Sequence, residues 1–214
     1  LGPFNFPGHL PNGHLIPALL AGNTIVFKPS PHTPKTGAEL VELWNKTSLP
    51  KGVLNMVQGA DTTGKQLCQH PDINGILFTG SKNVGHAIAV EQSKRPHLLL
   101  ALEMGGNNPI IVGETKHIDA AAYTIVQSAF SSTGQRCTCA RRLIIIKNNL
   151  SEPLLESIIN LTKNLKIGPY TSHPEPFMGP LIHTKIKQTV LQEQETLIKN
   201  GATPLLKATD INPD

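Results

Sequence analysis

The feature that most constrains this chain is its rhythm. Short apolar runs alternate with stretches of helical spacing, and Gly or Pro punctuates each change. Residues 23–28, 53–58, 75–79 and 97–102 read as strands, and residues 36–47, 62–69 and 83–93 as the helices between them. Apolar strands separated by amphipathic helices predict βαβ units and a parallel sheet buried on both faces. After Gly105-Gly106 the alternation resumes with a strand at 109–112, a long helix at 118–131 and a strand at 142–147. Helices at 152–165 and 183–199 follow, the second with apolar positions at Ile186, Val190, Leu191 and Ile198. Residues 168–180 are a loop by composition. Two adjacent glycines allow a backbone crossover, so a boundary is expected there, with one domain over 1–104 and another over 105–214.

The charge pattern excludes some classes of function. A net charge of +4 is spread thinly, and no Lys/Arg cluster exceeds the adjacent pair Arg141 and Arg142. A nucleic-acid surface carries a denser basic stripe, so no nucleic-acid partner is expected. The longest apolar runs, such as Leu143 to Ile146, are too short to span a bilayer, so no membrane partner is expected. The cysteines are Cys68, Cys137 and Cys139, an odd set that makes a poor disulfide framework and points to a reducing, cytoplasmic compartment. The chain starts at Leu1 inside a Gly-Pro-rich motif, without Met, and reads as a piece of a longer polypeptide.

A few residues stand out chemically. Cys137 follows a Gly turn and has Arg136 beside it, and a neighbouring cation favours a reactive thiolate. The alternative is a buried, inert thiol, which is also the reading for Cys139 and Cys68. Glu103 closes an apolar strand, and ligands bind at strand ends of parallel sheets. There it is either a general base tuned by burial or a cap or surface carboxylate. Gly80-Ser81-Lys82-Asn83-Val84-Gly85 follows a strand and opens a helix, as phosphate-cradling turns do. It matches neither GxGxxG nor Walker A, so an ordinary strand–turn–helix is the alternative. Lys28 ends the first strand, either to reach ribose hydroxyls or to sit in solvent. Asn5, among Pro3, Phe4, Phe6 and Pro7, either donates to an oxyanion or caps the helix that follows. His9 and His14 are not an i, i+4 pair and the cysteines lack zinc spacing, so no metal is expected.

Taken in order, GPFNFPG (2–8), IVFKPS (25–30), FTGSKNVG (78–85), LEMGGNNP (102–109) and GQRCTCARR (134–142) resemble the successive motifs of the aldehyde dehydrogenase superfamily. The resemblance covers essentially the whole chain. Within the superfamily, residues 4–14, 101–109 and 134–142 resemble the subfamily that oxidises N-succinylglutamate 5-semialdehyde in arginine breakdown. It implies an α/β fold: a Rossmann-like parallel-sheet cofactor domain joined to an α/β catalytic domain, truncated here at both ends. It also implies roles. Cys137 matches the nucleophile, Glu103 the general base and Asn5 the oxyanion-hole amide. Gly80, Ser81, Lys82, Asn83, Val84 and Gly85 match the turn beside the cofactor pyrophosphate, and Lys28 the adenosine-ribose contact.

The implied reaction oxidises a small aldehyde, here a dicarboxylate semialdehyde, to its acid through a cysteine thiohemiacetal and thioester. NAD is the implied cofactor. NADP stays open, because Pro31 stands where many NAD-preferring relatives have Glu three residues after the lysine. Arg136 is a candidate to pair bidentately with a substrate carboxylate; otherwise it tunes the thiol or packs at the surface. The full-length parent is expected to be a homo-oligomer. A later Glu-x-Phe-Gly-Pro motif is missing, so the isolated 214-residue piece is expected to turn over weakly or not at all. Rival readings are a CoA-acylating semialdehyde dehydrogenase, which needs no carboxylate base, a non-catalytic relative, and a thiol hydrolase, which would need a histidine base.

Overall fold

Short, mostly apolar runs become the strands, and among the described residues the strand pairs are parallel. In the computed structural model, which describes residues 1–210, β1 (Ile25–Phe27) pairs with β2 (Leu54–Met56) and β3 (Gly75–Gly80) with β4 (Leu99–Met104). β5 (Asn108–Val112) pairs with β6 (Ala140–Ile145), with an irregularity between Asn108 and Pro109. The helices between them are α1 (His9–Leu20), α2 (Pro34–Asn45), α3 (Asp61–Gln69), α4 (Lys82–Gln92), α5 (Ile118–Phe130), α6 (Ser151–Lys163) and α7 (Thr184–Lys199). The chain divides into two compact units, Leu1–Gly105 and a second beginning at Gly106.

In the first unit, helix-to-strand packing makes two small cores. Leu15, Phe27, Leu40, Val41 and Leu54 close around β1 and β2. Cys68, Ile76, Phe78 and Ile88 close around β3 and β4. Leu1 and Gly2 lie between the two strand pairs. The Leu1 nitrogen donates to the Leu77 carbonyl at 2.8 Å. The Thr79 N–H donates to the Leu1 carbonyl at 3.2 Å, and the Gly2 N–H to the Lys28 carbonyl at 2.9 Å. These bonds carry the ends of β1 and β3 to the same place. Arg95 secures the far side, donating to the Cys68 carbonyl at 3.3 Å and the His70 carbonyl at 3.4 Å. A cation on the last carbonyls of α3 also suits the negative end of its dipole.

The second unit is built on Ala122, Ile125 and Leu154, with Ile110, Val112 and Ile145 packed against them. Leu154 is 1% exposed, and full burial of such a side chain is worth roughly 1.5–3 kcal/mol. Among the described residues no helix is long and apolar enough to cross a membrane.

The parallel pairing is as expected, and among the described residues it takes the form of three two-stranded pairs. Several sequence expectations change. Helices of this unit cover one face of β5–β6, while Ile111 and its register partner Ile144, on the other face, stay exposed. The strand expected at 97–102 runs Leu99–Met104, and the one expected at 142–147 runs Ala140–Ile145. Helix α1 follows Asn5 and contains Pro11, Gly13 and Pro17, residues of low helix propensity. It forms because Pro11 sits in the first turn, where a missing N–H costs no intrahelical bond. Its N-cap is Gly8, with no side-chain cap hydrogen bond, so Asn5 is not its cap.

Candidate active site

The turn after β3 is built by its own side chains. Ser81 is the N-cap of α4, and its Oγ accepts from the Val84 N–H at 3.3 Å. The Gly85 N–H donates to the Ser81 carbonyl at 3.0 Å. The N–H groups of Lys82 and Asn83 fall in the first turn, where a helix has no intrahelical acceptors. Such a terminus suits a phosphate. The two glycines serve packing rather than a sharp bend, since both lie outside the left-handed region. A Cβ on Gly80 would stand 2.5 Å from the Phe78 ring, and one on Gly85 2.4 Å from the Met104 sulfur. Their absence lets α4 sit directly on β3 and β4.

Glu103 lies within β4, paired with Thr79 of β3, one residue before the Gly80 turn. It is exposed, contrary to the burial expected at that strand end. Lys28 follows β1, and it is not solvated. It is 7% exposed, its Nζ donates to the Pro29 carbonyl at 3.1 Å, and its stem runs past Gly64 of α3. Burial pushes its ammonium below the usual lysine range, and Asp61 pulls part of the way back. Asn5 is half-buried in the bend before α1. Through Leu1 and Gly2, the first unit thus brings Lys28 and the 80–85 turn to one end of its strands, with Glu103 beside that turn.

A buried, charged lysine weakens folding, and the pH dependence has a definite sign. A folded pKa below the unfolded value leaves the full cost in place below the depressed pKa. The cost is relieved as pH rises through that value toward about 10.4, where the unfolded lysine also loses its proton. Lys28→Met is therefore expected to unfold at higher urea than wild type at pH 7. The gap should narrow by pH 10. A variant less stable than wild type at pH 7 would count against a cost from the buried charge.

The second unit holds Cys137 and Arg136. Of the three cysteines, Cys137 is exposed while Cys68 and Cys139 are buried. Burial pushes the Cys68 thiol up, which leaves it inert. A 3-10 turn, Ser131–Gly134, feeds the Cys137 loop, and three consecutive residues are left-handed: Ser132 (φ 52), Thr133 (φ 59) and Gly134 (φ 67). For a β-branched residue such as Thr133 that conformation is strained. The Arg136 Nε donates to Ser132 Oγ at 3.0 Å. Arg136 also lines a concavity with Gln127, Ser131, Tyr170, Glu175 and Phe177.

Sequence reasoning missed the side chains that hold this loop. Asn108 Nδ2 donates to the Cys137 carbonyl at 2.7 Å and the Cys139 carbonyl at 3.1 Å. Arg141 donates to the Arg136 carbonyl at 3.1 Å and the Gly134 carbonyl at 3.5 Å. The only available signal was an amide at a strand start, beside the double glycine. Among the described residues, no group of three or more His, Cys, Asp or Glu side chains is placed to hold a metal ion.

Parallel strand pairs alternating with helices define an α/β protein, with a capped helix start in the first unit and an exposed thiol in the second. The chain belongs to the aldehyde dehydrogenase family, whose family model matches residues 1–213. It is 51% identical over 208 residues to the N-succinylglutamate 5-semialdehyde dehydrogenase of Vibrio cholerae serotype O1 (strain M66-2), covering 97% of this chain and 43% of that protein. It is 50% identical over 213 residues to the enzyme of the same name from Ectopseudomonas mendocina (strain ymp), covering 100% and 44%. The chain therefore spans less than half the length of these relatives. Among solved structures, an NAD-dependent aldehyde dehydrogenase from Sinorhizobium meliloti matches with a TM-score of 0.92 at 30% identity, over 99% of this chain and 42% of that one.

Proposed function

We propose that the protein carrying this chain oxidises N-succinylglutamate 5-semialdehyde to the corresponding acid, with NAD or NADP as acceptor and Cys137 as nucleophile. The observation that carries this reading is that Cys137, alone of the three cysteines, is exposed, in the GQRCTCARR stretch of a chain of this family. The names of the two curated relatives support the semialdehyde substrate. The dinucleotide fits the residues present: the first-turn N–H groups of Lys82 and Asn83 would take its pyrophosphate, and Lys28 its ribose.

The chemistry assigns each residue one task. The Cys137 sulfur bonds to the aldehyde carbon, and the carbonyl oxygen becomes an oxyanion. The Asn5 amide and the Cys137 N–H hold that oxyanion; losing one such donor costs about 10²–10³-fold in rate. What the bound nicotinamide supplies is an acceptor for the aldehyde's hydride. The acyl group then rests on Cys137 as a thioester. Glu103 takes a proton from water as that water attacks the thioester carbon, and the carbon–sulfur bond breaks to release acid and thiolate. One difficult step becomes two easier ones. Arg136 would pair with a carboxylate of the substrate; the concavity it lines also holds Glu175, which opposes a second anion.

The test is one assay on the full-length protein. Reduced-cofactor absorbance is followed with succinylglutamate semialdehyde and with simple aliphatic aldehydes, using NAD and NADP in turn. A clear preference in kcat/KM for the dicarboxylate semialdehyde is expected. Equal rates would remove the substrate assignment and leave aldehyde oxidation standing.

A further inference from the structure

We infer that Asn108 and Arg141 are positioning residues that set the direction of the nucleophile's backbone N–H by gripping the carbonyls around it. This role rests on Cys137 being the nucleophile. Across a trans peptide the carbonyl and the N–H point in opposite directions. The peptide that supplies the Cys137 N–H carries the Arg136 carbonyl. That carbonyl is held from one side by Arg141 Nη2 at 3.1 Å and by the Cys139 N–H at 3.4 Å. The Cys137 N–H is therefore turned to the opposite side. Among the described residues it donates to no backbone carbonyl.

The next two grips are made by Asn108. Its amide reaches the Cys137 and Cys139 carbonyls, 29 and 31 positions away, and so fixes the planes that follow the nucleophile. A planar amide with two donors suits two neighbouring carbonyls, and a hydroxyl would serve only one. The backbone around Asn108 is shaped for this. A Cβ on Gly106 would stand 2.9 Å from Asn108 Oδ1, so a larger residue there would push the amide off the loop. Asn108 also opens β5, opposite Ala140 at the start of β6, and the strand pair anchors it. Arg141, on the same β6, donates further to the Gly106 carbonyl and so ties the two sides of the grip together. The strained turn at Ser132–Gly134 enters this loop, and a held exit is what keeps such a conformation in place.

The experiment compares Asn108→Ala, Asn108→Ser and Arg141→Ala with wild type in the full-length protein. Three readouts are taken: kcat against aldehyde KM, the thermal midpoint, and iodoacetamide labelling of Cys137 and Cys139 mapped by peptide mass. Asn108→Ala is expected to lower kcat by about 10²-fold, the scale of a misplacement of about 1 Å. KM should move little and Cys139 should stay unlabelled. Asn108→Ser, keeping one donor, should recover part of the loss, and Arg141→Ala should lower kcat in the same sense. Full kcat in Asn108→Ala and Arg141→Ala would overturn the positioning role. So would loss accompanied by labelling of Cys139 as fast as Cys137, or failure of both Asn108 variants to fold, since either marks a role in folding alone. Cys137→Ala that kept its turnover would remove the nucleophile reading itself, a result separate from these.

Discussion

Cys137→Ala is expected to abolish aldehyde oxidation, lowering turnover by about 10⁵-fold or more, the scale on which removal of a covalent nucleophile acts. Among the described residues no other thiol is exposed to replace it. Cys139 is 2% exposed and its Sγ faces the Ser131 carbonyl at 3.7 Å. Cys68 is 3% exposed and packs with Ile76, Phe78 and Ile88. The effect should therefore fall on one residue. Cys68→Ala serves as the control: it removes a buried sulfur, costs some stability, and should leave kcat near wild type. Stoichiometric iodoacetamide at neutral pH should label Cys137 first, and inactivation should track that label. Appreciable turnover by Cys137→Ala would transfer the chemistry elsewhere and end the thioester mechanism. Cofactor binding should survive the substitution, because Lys28 and the 80–85 turn lie in the other unit.

The residues differ in how far the sequence alone disclosed them. Strands and helices with unbroken periodicity, such as β3, α4 and α5, were legible to within a residue or two. β4 was placed two residues early because Leu98 extends its apolar run, and a bond such as Leu98 N–H to the Arg95 carbonyl is invisible in a sequence. Helix α1 was hidden by Pro11, Gly13 and Pro17, since propensity weighs against a helix that packing of Leu15 nevertheless secures. Lys28 was legible as a special position but not as a buried one. Its environment comes from α3, more than thirty positions later, approaching at Gly64. Asn108 and Arg141 were missed for the same reason: their partners are carbonyls, which every residue has, so nothing in residue type marks them. The exposed faces of β5 and β6 show the reverse error. Apolar runs there read as buried on both sides, yet within this chain only the face toward α5 and α6 is covered.

Glu103→Gln is expected to separate the two halves of the reaction. Attack by Cys137 and loss of hydride do not need a base for water, so the first turnover should proceed. Thioester hydrolysis does need one. The variant should show a rapid burst of one reduced cofactor per active site, followed by a steady rate lower by about 10²–10⁴-fold, the usual contribution of a general base. Gln keeps the size of the side chain and its place opposite Thr79 in the β3–β4 ladder, so the fold should be untouched. Because Glu103 is exposed, no unpaired buried group is created by the change. Stopped-flow absorbance measures both phases, and acid quench followed by peptide mass should find the acyl group on Cys137. A burst-free trace with an unchanged steady rate would free Glu103 of the base role. A burst that decays at the wild-type rate only when CoA is added would instead favour transfer of the acyl group to a thiol acceptor. The two outcomes differ in product, free acid against acyl-CoA, and a single chromatographic assay tells them apart.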